Sequence, residues 1–104
     1  MAGILIVDDE QAINWGLAEL VRQMGHQPHT AASAEQAIAL AAEIKAEVIL
    51  LDVRLPGMDG LTAMSKLREL LPGAKIIVMT AHGDLSTAVE AVREGAFEYI
   101  VKPF

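Results

Sequence analysis

Two hydrophobic periods alternate along this chain. Ile4-Leu5-Ile6-Val7 is an unbroken apolar run, rich in β-branching and ended by acids, too short for a helix, so it reads as a buried strand. Beyond it the period changes: Ile13, Leu17, Leu20, Val21 and Met24 fall at helical spacing, and Gly25 stands where a helix C-cap belongs. Gln27 to Ala31 can form a second strand, after which Ser33-Ala34-Glu35-Gln36 has the spacing of a capping box ahead of Ala37, Ile38, Ala41 and Ala42. Val48-Ile49-Leu50-Leu51 is a third strand. Pro56-Gly57 marks a turn, and Leu61, Met64, Leu67 and Leu71 form a third helical stripe that ends at Pro72-Gly73. Ile76-Ile77-Val78-Met79 followed by Ala88, Val89 and Val92 with Gly95 is the fourth pair, and Tyr99-Ile100-Val101 is a fifth strand. Strands apolar on both faces, alternating with helical patterns, need helices on both sides of a parallel sheet. The pattern therefore predicts a doubly wound α/β domain.

Composition narrows the class. The 104 residues are one domain's worth, 53% apolar and 21% charged, which excludes a disordered tail. The longest apolar run, Ala37 to Ala42, is far too short to span a bilayer. Met1-Ala2-Gly3 leads straight into the first strand without a basic segment or cleavage site, so a cytoplasmic protein with no membrane partner is expected. Without cysteine there is no disulfide framework, thiolate metal site or thiol nucleophile. A net charge of -6 argues that this segment does not grip nucleic acid by itself, so any DNA contact would need another domain. One domain fills residues 1–104, and the chain stops just after the fifth strand, which leaves that strand without a following helix.

In a parallel α/β sheet the ligand site lies outside the carboxyl ends of the strands, so the residue that follows each apolar run carries the information. Strand one ends in Asp8-Asp9, strand three in Asp52, strand four in Thr80 and strand five in Lys102. Carboxylates crowded together repel more than one lysine is expected to cancel, whereas a hard divalent cation with oxygen ligands can hold them, which implies Mg²⁺. A cation bound by few protein oxygens keeps positions open for phosphate oxygens, and an Asp carboxylate can accept a phosphoryl group covalently. One Asp would then be the nucleophile and two would hold the metal, with Thr80 and Lys102 stabilising charge on the transferred group.

Ile6-Val7-Asp8-Asp9-Glu10, Leu51-Asp52-Val53-Arg54-Leu55-Pro56-Gly57-Met58-Asp59-Gly60, Met79-Thr80-Ala81 and Lys102-Pro103 occur together and in order. The set resembles the receiver domain of bacterial response regulators. Met79-Thr80-Ala81-His82-Gly83-Asp84, Gly95-Ala96-Phe97 and Lys102-Pro103-Phe104 look most like receivers of DNA-binding transcription regulators, a likeness shared by the nitrogen-regulation class and by a class with a simple helix-turn-helix output. The resemblance implies the flavodoxin-like strand order 2-1-3-4-5, with the family's fifth helix absent from this chain. It implies that Asp52 is the phosphoacceptor, that Asp8 and Asp9 flank Mg²⁺, and that the backbone carbonyl of Arg54 is a third protein ligand. Thr80 matches the switch hydroxyl, Lys102 the family lysine and Tyr99 the switch aromatic, and the Lys102-Pro103 peptide is expected to be cis. A sensor histidine kinase is the implied phosphoryl donor, and an attached or separate output domain the implied recipient of the signal. Such a domain promotes only its own phosphoryl transfer and dephosphorylation. Lacking a helix over one face, it is expected to be marginal alone or to self-associate as a homodimer.

The alternative enzyme reading, a Mg²⁺-dependent phosphatase with an aspartyl-phosphate intermediate, would need a second Asp close after the nucleophile and a cap over the substrate. A flavodoxin-like phosphate loop is disfavoured because Asp8-Asp9-Glu10 would repel phosphate. Asp59 reads as the N-cap of the third helix rather than as a ligand. His26 and His29 flank Pro28 and read as structural, His82 as a loop histidine beside the site, and Met58, Met64 and Met79 as gap-filling core. Trp15, about 200° from Ile13 around the helix, falls off the apolar stripe and is expected to be exposed.

Overall fold

Each apolar run becomes a strand and each periodic stretch a helix in the computed structural model, which describes residues 2–102 apart from the His82 side chain. The order is β1 (Gly3–Val7), α1 (Gln11–Gln23), β2 (Gln27–Ala31), α2 (Ala34–Ala41), β3 (Val48–Asp52), α3 (Gly60–Leu70), β4 (Lys75–Thr80), a 3₁₀ turn (His82–Asp84), α4 (Leu85–Arg93) and β5 (Glu98–Val101). The strands form one parallel sheet in the order β2-β1-β3-β4-β5, as expected. After β2 the chain crosses back over β1 to build β3, so the winding reverses between β1 and β3. That reversal opens a crevice at their carboxyl ends.

The helix ends follow their sequence signals. Ser33 accepts a hydrogen bond from the Gln36 N–H, while the Gln36 side chain reaches back to the Ala32 N–H, one residue before the cap itself. Ser33→Ala is expected to cost about 1 kcal/mol, read as a shift of the urea midpoint at unchanged slope. Gly25 and Gly95 both take positive φ, where a Cβ would be strained. At the first, the Gly25 N–H bonds to the Arg22 carbonyl and the His26 N–H to the Val21 carbonyl. The same crossed pair recurs at Gly95 and Ala96 with Val92 and Ala91, so both helices end in a Schellman motif.

The larger core cluster packs Leu5, Val7, Ile49, Leu51, Ile76 and Val78 of the sheet against alanines and leucines of α2, α3 and α4. On the other face α1 sets Ala18 and Val21 on Ile6, with Ile4, Leu17 and Leu50 at the margin. Ile77 and Ile100 lie on that face by strand alternation and are half-buried. The stripes are narrower than their periodicity suggested: Leu20 of α1 and Met24 at its C-cap are exposed, as are Val89 and Val92 of α4. In α4 it is Ala88 and Ala91, small residues three apart, that lie against the sheet, and the valines are rotated to the side. Trp15 is exposed as expected. Met64 and Met79 are core residues and Met58 packs against the core.

Candidate functional site

Register brings the strand ends level. Val7 pairs with Leu51 and Asp52 with Met79, so Asp8 lies one step past the β1–β3 ladder beside Asp52, and Lys102 one step past the Thr80–Val101 pair. Asp8, Asp52 and Lys102 each come two residues after Ile6, Leu50 and Ile100. The two-residue period of a strand therefore points them to one side.

The three side chains meet there. Lys102 Nζ donates to Asp8 Oδ2 at 2.5 Å and to Asp52 Oδ2 at 3.1 Å, and only 16% of that lysine side chain is exposed. Asp8 is fully buried, and its Oδ1 accepts the Glu10 N–H at 2.9 Å. Asp52 Oδ1 accepts the Arg54 N–H at 2.9 Å. Asp9 is exposed, yet Asp8, Asp9 and Asp52 each offer a carboxylate oxygen, and these oxygens lie within 4.8 Å of one another. Three carboxylates against one ammonium leave an all-oxygen, net-negative cluster open to solvent at Asp9. That donor set fits a hard divalent cation that keeps water ligands.

Burial raises the Asp52 carboxyl above the ordinary carboxylate range, the Arg54 N–H and Lys102 offsetting it only in part, and the charge of Asp8 adds to the rise. Burial by itself lowers Lys102, but its bonds to Asp8 and Asp52 outweigh this and leave the ammonium raised. A carboxyl raised in the fold contributes stability below its unfolded value of about 4, and this is lost as pH rises through the folded value. Ionised Asp52 is thus a net cost at neutral pH without metal. Asp52→Asn is expected to melt higher than the parent at pH 7, with the gap closing toward pH 3; equal or lower melting at pH 7 would contradict this.

Thr80 is fully buried at the end of β4, and its hydroxyl donates to the Ala81 carbonyl at 3.1 Å. Tyr99 pairs with Val78 and packs half-buried against the larger core, away from the carboxylates. Asp59 caps α3 through the Thr62 N–H at 2.9 Å. His26 Nδ1 accepts the Ala2 N–H, a structural use. The expected cis peptide at Pro103 and any part played by the His82 imidazole lie outside the described residues.

Two polar residues escaped the sequence reading. Arg54 sends its exposed guanidinium to Asp84, with Nε 3.0 Å from both carboxylate oxygens, and holds that carboxyl below its usual range. Asp84 stands just before α4 and resembles an N-cap, but its side chain makes no capping bond. Asn14 lies buried in α1 among positions that read as an apolar face. Nothing local marks either partner.

A five-stranded parallel sheet in this order, with acids and a lysine gathered at its winding reversal, is the architecture of a signalling receiver, and the chain belongs to the response regulator receiver domain family, which it matches over residues 4–104. It is 42% identical over 101 residues to the regulatory protein AtoC of Escherichia coli K12 and 38% identical over 101 residues to the DNA-binding transcriptional regulator NtrC of Salmonella typhimurium. Both alignments take 97% of this chain and 22% of the relative, so the chain spans less than a quarter of their length. A response regulator from Burkholderia pseudomallei, solved with a phosphorylated aspartic acid, calcium ion and citrate, superposes with a TM-score of 0.92 at 33% identity. That match covers 100% of this chain and 61% of the other.

Proposed function

We propose that this domain, spanning residues 1–104, is a phosphorylation-controlled switch that takes a phosphoryl group from a sensor histidine kinase onto Asp52 and thereby controls an output domain acting in transcription. The observation that carries this reading is the convergence of Asp8, Asp9 and Asp52 within 4.8 Å, two of them bridged by Lys102. The phosphorylated aspartic acid and calcium ion of the Burkholderia relative support it. The regulatory relatives support a transcriptional output. With a net charge of -6, DNA contact belongs to that output domain.

Asp8, Asp9, Asp52 and the Arg54 carbonyl would hold Mg²⁺, which when bound supplies positive charge for the phosphoryl oxygens. An Asp52 carboxylate oxygen forms the new P–O bond as the bond from phosphorus to the donor breaks, its electron pair leaving with the donor. The Lys102 ammonium favours the ionised form of Asp52 beforehand and afterwards pairs with a phosphoryl oxygen. The acyl phosphate is later hydrolysed, returning Asp52, so the domain acts only on its own phosphoryl group. Thr80 gains a better acceptor than the Ala81 carbonyl once phosphate is present. Its movement would leave room for Tyr99 to turn inward beside α4 and β5. A cytoplasmic location accords with this role; among the described residues no helix is long and apolar enough to cross a membrane.

Acetyl phosphate with Mg²⁺ is expected to add one phosphoryl group to the intact mass, and excess EDTA to prevent it; no adduct with Mg²⁺ present would overturn the reading. Asp9→Ala removes the exposed ligand. Because loss of an outer-shell partner already costs about 10–100-fold in metal affinity, this variant should need at least that much more Mg²⁺ for half-maximal labelling.

A further inference from the structure

The β1–β2 ladder ends at the Val7–Ala31 pair with the bond from the Asp8 N–H to the Ala31 carbonyl, so the Asp8 carbonyl and the Asp9 backbone lie beyond the regular pairing. The Asp8 carbonyl is held instead by Asn14. Its Nδ2 donates to the Asp8 carbonyl at 2.8 Å and to the Ala31 carbonyl at 3.1 Å, and the Ala31 carbonyl also accepts the Asp8 N–H at 3.1 Å. One carboxamide thereby joins α1, β1 and β2 one step past the ladder. The carbonyl it grips belongs to the peptide between Asp8 and Asp9, whose rotation sets where the Asp9 side chain can go.

Only the amide end of Asn14 can serve two carbonyl acceptors, so its Oδ1 must face elsewhere. That oxygen is buried without a hydrogen-bond partner, in a residue only 8% exposed. A buried acceptor left unpaired is a cost to folding that an apolar side chain of similar size would avoid. The pattern is that of a residue kept for what its donors hold in place.

We propose that Asn14 is a positioning residue for the cation site, fixing the Asp8–Asp9 peptide so that both carboxylates meet Asp52 in the geometry that Mg²⁺ requires. This rests on the Mg²⁺ reading given above. A small cation with strict octahedral demands tolerates little misplacement of its oxygens, and outer-shell partners of metal ligands typically matter by about 10–100-fold in affinity.

Asn14→Leu keeps the branching at Cγ and removes both donors. Calorimetric titration of Mg²⁺ into the metal-free protein is expected to show about tenfold or greater weakening, and amide exchange at Asp8 to Glu10 is expected to quicken in the absence of metal. Labelling by acetyl phosphate at saturating Mg²⁺ should return to within about twofold of the parent, a split that general loss of structure would not produce. Asn14→Gln, which retains a carboxamide donor, should recover part of the affinity. If circular dichroism shows that Asn14→Leu does not fold, Asn14→Ala takes its place in the same titration. Parental Mg²⁺ affinity in a folded variant lacking the donors overturns the proposal. Absence of Mg²⁺ uptake by the unsubstituted protein overturns instead the reading on which it rests, and the proposal with it.

Discussion

Asp52→Asn is expected to abolish phosphoryl uptake from acetyl phosphate, with no adduct in the intact mass where the parent gains one. The amide that replaces the carboxylate has no charged oxygen to attack phosphorus, and no other carboxylate in the cluster can take over. Asp8 is fully buried with its two oxygens engaged by the Glu10 N–H and Lys102. Asp9 is exposed and lacks the contact with Lys102 that Asp52 has. The substitution should leave the fold intact and raise its melting temperature at neutral pH, so loss of labelling cannot be assigned to unfolding. Equal labelling of parent and variant would show that another residue is the acceptor.

Lys102→Arg should slow labelling by about 10²–10³-fold at saturating Mg²⁺, the scale for losing one preorganised donor to a developing charge. It would do so although the charge is kept. The ammonium is compact and enclosed, reaching Asp8 and Asp52 at 2.5 and 3.1 Å from one nitrogen. A guanidinium is planar, wider and carries its donors in a fixed fork, so it cannot place one nitrogen between two carboxylates in that space. The reading is the pseudo-first-order rate of mass gain over a range of acetyl phosphate concentrations. A rate within about twofold of the parent would remove Lys102 from the mechanism.

Much of the acid and lysine cluster was legible in the sequence because an open parallel sheet brings its strand ends to one edge. The residue after each apolar run lies at the carboxyl edge, and reading those positions alone produced Asp8, Asp9, Asp52 and Lys102, which meet there, and Thr80, whose hydroxyl bonds the Ala81 carbonyl instead. Asp84 and Asn14 were not legible in this way. Asp84 answers to Arg54, 30 positions earlier, and Asn14 answers to the backbone carbonyls of Asp8 and Ala31. A residue whose importance lies in a distant carbonyl or guanidinium leaves no period and no spacing.

Element type, the cap at Ser33, the Schellman glycines and the polar strand ends are properties of the sequence by itself, since each depends on residues within one turn or one strand. Which strands are neighbours is a tertiary property that no local pattern of residues records, and the sequence indicated it only through the family resemblance. Setting β1 between β2 and β3 levelled Asp8 with Asp52 and carried Lys102 to a carboxylate 94 residues away. Tertiary structure also decided which apolar residues are covered: Ala88 and Ala91 lie on the sheet while Leu20, Met24, Val89 and Val92 face outward. Periodicity records which side of a helix is apolar, but how much of that side is buried depends on how closely the neighbouring element approaches.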